Sequence, residues 1–352
     1  MIDVHRITDD DEWNTYVDRA AGGSLFHRHE FLTAIASATG TEFRLLVGKN
    51  GEHPIGILPL FVDSKGPLRL AYSPPPHAGI PHLGPAMMLD PNIKYRKATL
   101  RTKEFVEACI AWLDDEVEPH YVRIVTNTGF EEVRPFRWRG FDVTPRFTYE
   151  LDIDRDDSPL LRSFSRDARS SIQDHYRPDA AMTDGGQLLV DPDAETDVRI
   201  SDAGSDTIEF LAAQLDRRFT EQGETFPLSA DFLQTVADTL PDGAVRVYRL
   251  AVDGEPVTGR FSLVHDGRLT FWQGVPKPDE PVDAPINDLL NWHSIREARA
   301  AGCDVAELSG ANIERLWDYK AKFNPELATY YILERTSTGT KPLLKAYKWW
   351  HS

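Results

Sequence analysis

Lys320 stands in the run Trp317-Asp-Tyr319-Lys320-Ala-Lys-Phe323, a cation set among three aromatic side chains. The chain holds 11 lysines against 28 arginines, so a lysine in such company is a signal. As a compact point charge its ammonium could hold a phosphate, or the oxyanion that develops when a carbonyl is attacked. Glu307 lies in Val305-Ala-Glu-Leu-Ser309, an extended run that places Glu307 and Ser309 on one face and Ala306 and Leu308 on the other. A carboxylate there could take the proton that an ammonium must shed before its nitrogen attacks an acyl carbon. The plainer reading of Glu307 is a solvated strand residue.

Candidate binding residues cluster in the same stretch of chain. Trp272 and Gln273 end the strand-like run Leu269–Gly274, and a Trp at such a position is also a common core residue. Asn287 and Asp288 open the next helical pattern, whose first N–H groups could receive an anion. Asp288 would oppose that anion, so one of the two reads as a helix cap. Tyr319 adjoins Lys320, and Arg218, following Arg217, could neutralise a carboxylate or phosphate or form a surface ion pair. Arg166 and Arg169 share one helical face and read as solvated or inter-domain. Tyr72, His77 and His82 belong to a Pro-rich segment that reads as a rigid substrate-binding rim. Two histidines five apart with no third ligand do not make a metal site. Cys109 and Cys303 are far apart and in apolar surroundings, which predicts buried thiols and no covalent acyl-enzyme. No Gly-x-Ser-x-Gly, Walker or zinc-finger pattern occurs.

The elements that must position these residues follow a repeated grammar. Asn50-Gly51 and Asp253-Gly254 each join two alternating apolar runs, the strongest short hairpin signal. Around each hairpin the order is helix, helix, two antiparallel strands, a third strand, helix, strand, which predicts an internal duplication. Helices are predicted over Thr102–Glu116, Leu160–Tyr176, Ile208–Thr220, Asp231–Leu240, Ile286–Ala301 and Glu314–Lys322. The acidic stretch Asp179–Asp206 reads as loop, and Asp154–Pro159 as the inter-domain boundary. Two domains are expected, 1–153 and 154–352, with the last segment, around Tyr347-Lys-Trp-Trp-His351, packing back on a neighbour.

Four further stretches carry a family resemblance. Leu269-Thr-Phe-Trp-Gln-Gly274, Asn291-Trp-His-Ser-Ile-Arg-Glu-Ala-Arg-Ala-Ala-Gly302, Ala306-Glu-Leu-Ser-Gly310 and Tyr319-Lys-Ala-Lys-Phe323 resemble the tail of the FemAB/FemX-type and related GNAT-like acyltransferases. Gly23-Ser-Leu-Phe26 with Phe31-Leu32, Gly56–Phe61 and Arg217–Gly223 are similar to that group's earlier pieces. The resemblance implies an α/β (α+β) chain of tandem GNAT-like domains, each a mixed, mainly antiparallel sheet flanked by helices. It implies transfer of an acyl or aminoacyl group to an amine, from acyl-CoA or aminoacyl-tRNA, with no tightly bound cofactor. Leu308-Ser-Gly-Ala311 replaces that group's Asp-Phe-Gly-Gly, and Tyr319-Lys320 its Phe-Lys. No Arg/Gln-x-x-Gly-x-Gly pyrophosphate loop precedes Ile286. That departure keeps open the alternative of a degenerate binding module, a GNAT shape that has lost its donor.

Composition bounds the rest. At 352 residues the chain has room for two cores, and its net charge is −17. Excess carboxylate with scarce lysine suits a halophilic, cytoplasmic protein kept soluble in concentrated salt. Without a basic stripe, DNA binding is excluded and tRNA is disfavoured. No stretch approaches 18 consecutive apolar residues and the N-terminus lacks an apolar leader, so neither a membrane span nor a signal peptide is expected. The expected partner is an amine acceptor on a small molecule, glycan, lipid or peptide, in cell-envelope or polysaccharide metabolism.

Overall fold

The computed structural model describes residues 2–337 except 178–181, 184–185, 191–195, 203, 222, 224–227, 276–281 and 283. The chain divides into two compact units: one takes in the residues up to Arg146 and the segment from Ala328, the other runs from Phe147 to Leu327. The final segment with Tyr347, Trp349 and Trp350 lies outside the described residues.

The first unit begins with β1 (Asp3–Ile7), α1 (Asp10–Arg19) and α2 (His29–Thr39). Asp9 caps α1, accepting from Glu12 N at 2.7 Å, and three acidic residues fill the first turn, where the helix dipole favours them. β2 (Glu42–Asn50) and β3 (His53–Lys65) form the hairpin expected at Asn50-Gly51. β4 (Leu68–Ser73), β5 (Ala86–Met87), α3 (Tyr95–Glu116), β6 (Tyr121–Val125) and α4 (Arg134–Trp138) follow. α3 starts two turns before Thr102, because its opening residues are polar and exposed and carry no apolar period. Its buried stripe, Phe105, Val106, Cys109, Ile110 and Leu113, packs with Leu46, Leu58 and Leu60.

The second unit runs β7 (Asp142–Asp152), α5 (Asp157–Ser163), α6 (Arg166–His175), β8 (Met182–Thr183), β9 (Gly186–Leu188) and β10 (Val198–Asp202). It continues with α7 (Ser205–Glu221), α8 (Ala230–Thr239), β11 (Val245–Val252), β12 (Glu255–His265), β13 (Arg268–Gly274) and α9 (Ile286–Ala300). β14 (Val305–Glu307) and α10 (Glu314–Ala321) follow, and β15 (Glu326–Thr336) carries the chain from Ala328 on into the first unit. Two expectations are corrected. The single helix over 160–176 is two, because Ser165 turns out of helical geometry and caps α6 by accepting from Ala168 N at 3.2 Å. The stretch 179–206 is not all loop, since β9 and β10 pair within it, the rest falling mainly outside the described residues.

Within each unit the strands pair antiparallel except where the third meander strand meets the next strand after a helix. That exception is β4 with β6 in the first unit and β13 with β14 in the second. The strands after these parallel pairs are exchanged. β7 follows α4 in sequence but pairs through Glu150–Asp152 with β14. β15 follows α10 but pairs through Ile332–Thr336 with β6. In the second core, Leu289, Trp292 and Ile295 of α9 pack with Phe164, Phe271, Leu308 and Phe323. Cys109 and Cys303 are buried and unbridged, and burial pushes both thiols upward in pKa. Among the described residues no helix is long and apolar enough to cross a membrane.

Candidate active site

In the second unit β13 and β14 are hydrogen-bonded for three register pairs, ending at Thr270 with Glu307. Beyond that point the main-chain ladder ends, and Ser309 Oγ donates to the Phe271 carbonyl at 3.1 Å. β13 carries a bulge at Trp272, between the pairs Phe271 with Ser262 and Gln273 with Phe261. The chain after β14 turns through Ser309 and Gly310, both left-handed with φ 57° and 73°. Lys320, one helix later, reaches back and donates to the carbonyls of Leu308 and of Ser309, the latter at 2.7 Å. Main-chain carbonyls just past a strand end thus acquire an ammonium, and an ammonium has a third N–H left to give. Burial, helped by nearby Arg260 and opposed by Glu307, pushes the Lys320 pKa down to about 7.

Gly310 makes that reach available. A Cβ built there would stand 2.9 Å from Lys320 Nζ and 3.2 Å from Leu316 Cδ1. We expect Gly310→Ala to displace the ammonium and to cut turnover by about 10- to 100-fold, the scale of a misplacement near 1 Å. The added left-handed strain should cost about 1–2 kcal/mol. Steady-state kinetics and a melting curve on the purified variant separate the two effects.

Glu307 is not the solvated carboxylate that alternation and base rates suggest: it is 2% exposed. Its carboxylate accepts from Thr148 Oγ1 at 2.9 Å on β7 and lies 3.9 Å from Arg268, whose stronger partner is Glu150 at 2.8 Å. Burial dominates and raises the Glu307 pKa to about 7, with Arg268 and Thr148 opposing it. An acid and a base poised near neutrality therefore occupy neighbouring positions, each felt in the other's titration.

Around them sits a polar network. The Tyr319 hydroxyl accepts from Asn291 Nδ2 at 2.8 Å and donates to Asp288 Oδ1 at 3.2 Å. Lys322 donates to Asp288 Oδ2 at 2.7 Å and lies 4.3 Å from the Tyr319 ring centre. The aromatic frame foreseen for Lys320 is thus occupied by Lys322, while Trp317 is 59% exposed. The expected capping role is corrected too: Pro285 is the cap residue of α9, Asp288 is held by Lys322, and Asn287 accepts from Thr258 Oγ1 at 3.3 Å.

Trp272 is buried edge-on between Phe261 and Phe232, and Gln273 stands half-buried beside it. Arg218, on α7, lies 3.6 Å from Glu221. Tyr72 and His77 belong to the first unit: Tyr72 is buried against Tyr121, and His77 is exposed with φ 59°. His82 is buried and stacked on Tyr330. Among the described residues no group of three His, Cys, Asp or Glu side chains could hold a metal.

In the first unit the parallel pair is β4 with β6. Leu83 N donates to Val125 O at 3.0 Å and Gly84 N to Ser73 Oγ at 3.1 Å, so the chain after β4 closes over the strand ends. A Cβ at Gly84 would meet Val125 O at 2.8 Å. A cavity of about 800 Å³ in the second unit has Asp157, Arg296 and Arg299 but not Lys320 in its lining, and Asp157 is paired with both arginines. Thr148, Arg260 and Asn291 carried no sequence signal of their own.

An acetyltransferase (GNAT) domain model matches residues 163–321, inside the second unit. None of the curated proteins matches this sequence. Among solved structures, FemX is similar over 94% of this chain and 96% of its own, at 13% identity and a TM-score of 0.67. A conserved Bacteroides thetaiotaomicron protein of unknown function follows at 14% identity, covering 95% and 100%, with a TM-score of 0.56. A tandem GNAT protein from the clavulanic acid biosynthesis pathway covers 96% and 98%, at 10% identity and 0.53.

Proposed function

We propose that this chain, which carries an acetyltransferase (GNAT) domain over residues 163–321 and the tandem GNAT fold over its length, is an N-acyltransferase worked by its second unit. The observation that carries the reading is Lys320, fixed by two main-chain carbonyls just past the end of β14, with Glu307 beside it. The acceptor's ammonium gives a proton to Glu307, and its nitrogen attacks the acyl carbon of a bound thioester. As the C–N bond forms, the carbonyl electron pair moves to oxygen, and the third N–H of Lys320 meets that charge. Collapse breaks the bond to sulfur, and the thiolate leaves and takes a proton. No enzyme thiol takes part, because both are buried with raised pKa.

Acyl-CoA is the donor we favour, since that is the ordinary donor of GNAT domains; aminoacyl-tRNA is the second, in a chain whose charge repels RNA. The acceptor is an amine on a small molecule, glycan, lipid or peptide, used in envelope or polysaccharide metabolism. We assign Tyr319, Asn287, Trp272, Gln273 and Arg218 to the neighbourhood of the donor, and Tyr72 and His77 to an acceptor rim. The first unit, closed over its own strand ends, is the degenerate binding half. The net charge of −17 supports a salt-rich cytoplasm as the setting of the reaction.

Free-thiol release from acetyl-CoA tests the proposal, measured with a panel of amines in low and molar salt, alongside deacylation of aminoacyl-tRNA. Acceptor-dependent release is the expected result. A folded protein that consumes neither donor at any salt concentration refutes it.

A further inference from the structure

We propose that Arg260, beside Lys320, forms a seat for an oxyanion group of the substrate, a carboxylate or a phosphate, at the end of the β12–β13 ladder. The proposal rests on the acyl-transfer reading only in making that group part of the substrate. Arg260 lies on β12 opposite Gly274, the last residue of β13. Its guanidinium carbon stands 4.0 Å from the centre of the Phe271 ring, and a Cβ built on Gly274 would lie 3.9 Å from it. The guanidinium is thus held within cation–π reach of an aromatic ring at the end of the β12–β13 ladder.

What it lacks is an anion. Its Nε is shut off from solvent and has no acceptor, and among the described residues the side chain makes neither an ion pair nor a hydrogen bond. Burial lowers its pKa to about 10, so it remains a cation at neutral pH. Lys320 is near enough for the two charges to disfavour each other. The carboxylates of this neighbourhood are engaged: Asp288 with Lys322 and Tyr319, Glu307 with Thr148 and Arg268. Two half-buried cations, neither in an ion pair among the described residues, disfavour each other, and a ligand oxyanion would relieve both. The guanidinium fork takes a carboxylate or phosphate through two parallel bonds.

A second orphan lies close by. Asn291 Oδ1 is buried without a donor, while its amide nitrogen is bound to Tyr319, a residue whose hydroxyl Arg260 also influences. A group carrying an N–H or O–H beside its anionic oxygen would satisfy both ends.

The test uses the full chain and two probes, inorganic phosphate and acetate, exchanged for chloride at constant ionic strength. Melting temperature is read for wild type, Arg260→Met and Arg260→Lys. One or both anions should raise the wild-type value, phosphate alone indicating a phosphoryl source and acetate alone a carboxylate. Arg260→Met should lose the rise, with apparent affinity at least about 10-fold weaker, the scale of one charge-assisted hydrogen bond. In chloride it should melt higher than wild type, because an unpaired charge has gone. Arg260→Lys, which keeps the charge without the fork, should show a smaller rise than wild type and stands in if the methionine variant does not fold. Equal rises in wild type and variants, or no rise in wild type with either anion, overturns the proposal. Neither readout needs turnover, so failure here is distinct from failure of acyl transfer.

Discussion

Lys320→Met should lower kcat by about 10²–10³-fold, the measured scale for losing one oxyanion donor, while KM changes little. The ammonium is held on the Leu308 and Ser309 carbonyls before substrate arrives, so its third N–H needs no reorganisation when charge develops. Methionine is one atom shorter and keeps most of the packing but offers no donor. Two carbonyls lose their bonds, costing about 1–3 kcal/mol, and the relief of a buried ammonium offsets part of that. Melting temperature should therefore fall only modestly. A lysine with a purely structural role would behave oppositely, lowering the melting temperature and leaving turnover per folded molecule unchanged. Circular dichroism and steady-state kinetics on one preparation distinguish the two.

The second large effect is in pH. Glu307 must be ionised to accept a proton, and Lys320 protonated to donate; both change state near pH 7. Activity should follow a narrow bell centred near neutrality. Glu307→Gln should cost about 10²–10⁴-fold and flatten the acid limb, whereas Lys320→Met should flatten the alkaline limb. Stability should move the other way. Folded Glu307 keeps its proton up to about 7, against an ordinary value of 4.5. Its contribution is full below that ordinary value and is lost as pH rises through about 7. Lys320 sheds its proton at about 7 when folded but at 10.5 when unfolded, so stability recovers as pH climbs between those values. Urea midpoints across pH should show a shallow minimum near 7 from this pair. Glu307→Gln should remove the acid-side decline, and an unchanged profile in that variant would locate the titration elsewhere.

Much of this architecture was legible in order along the chain. The two hairpins and the repeated succession of strands and helices are local, set by turn chemistry and apolar period within a few residues. Lys320 was legible because lysine is rare here and the run around it is aromatic. Its partners were not. Spacing pointed to a cage of rings, which Lys322 occupies, whereas Lys320 reaches carbonyls of a strand end eleven and twelve residues back.

Sequence by itself determined which segments become strand or helix, and that there are two similar sets. Tertiary structure decided the exchange of β7 and β15, the break between α5 and α6, and the charge states of the site. The physical reason is that periodicity reports which face of an element is apolar, not what comes to cover the other face. Glu307 and Arg260 each lie in strands with a polar alternate position, which reads as solvated. Thr148, 159 residues away from Glu307 in sequence, arrives on β7 and helps to seal it from water. Desolvation, which makes these groups an acid, a base and an unpaired cation near neutral pH, is a property of what long-range folding places around them.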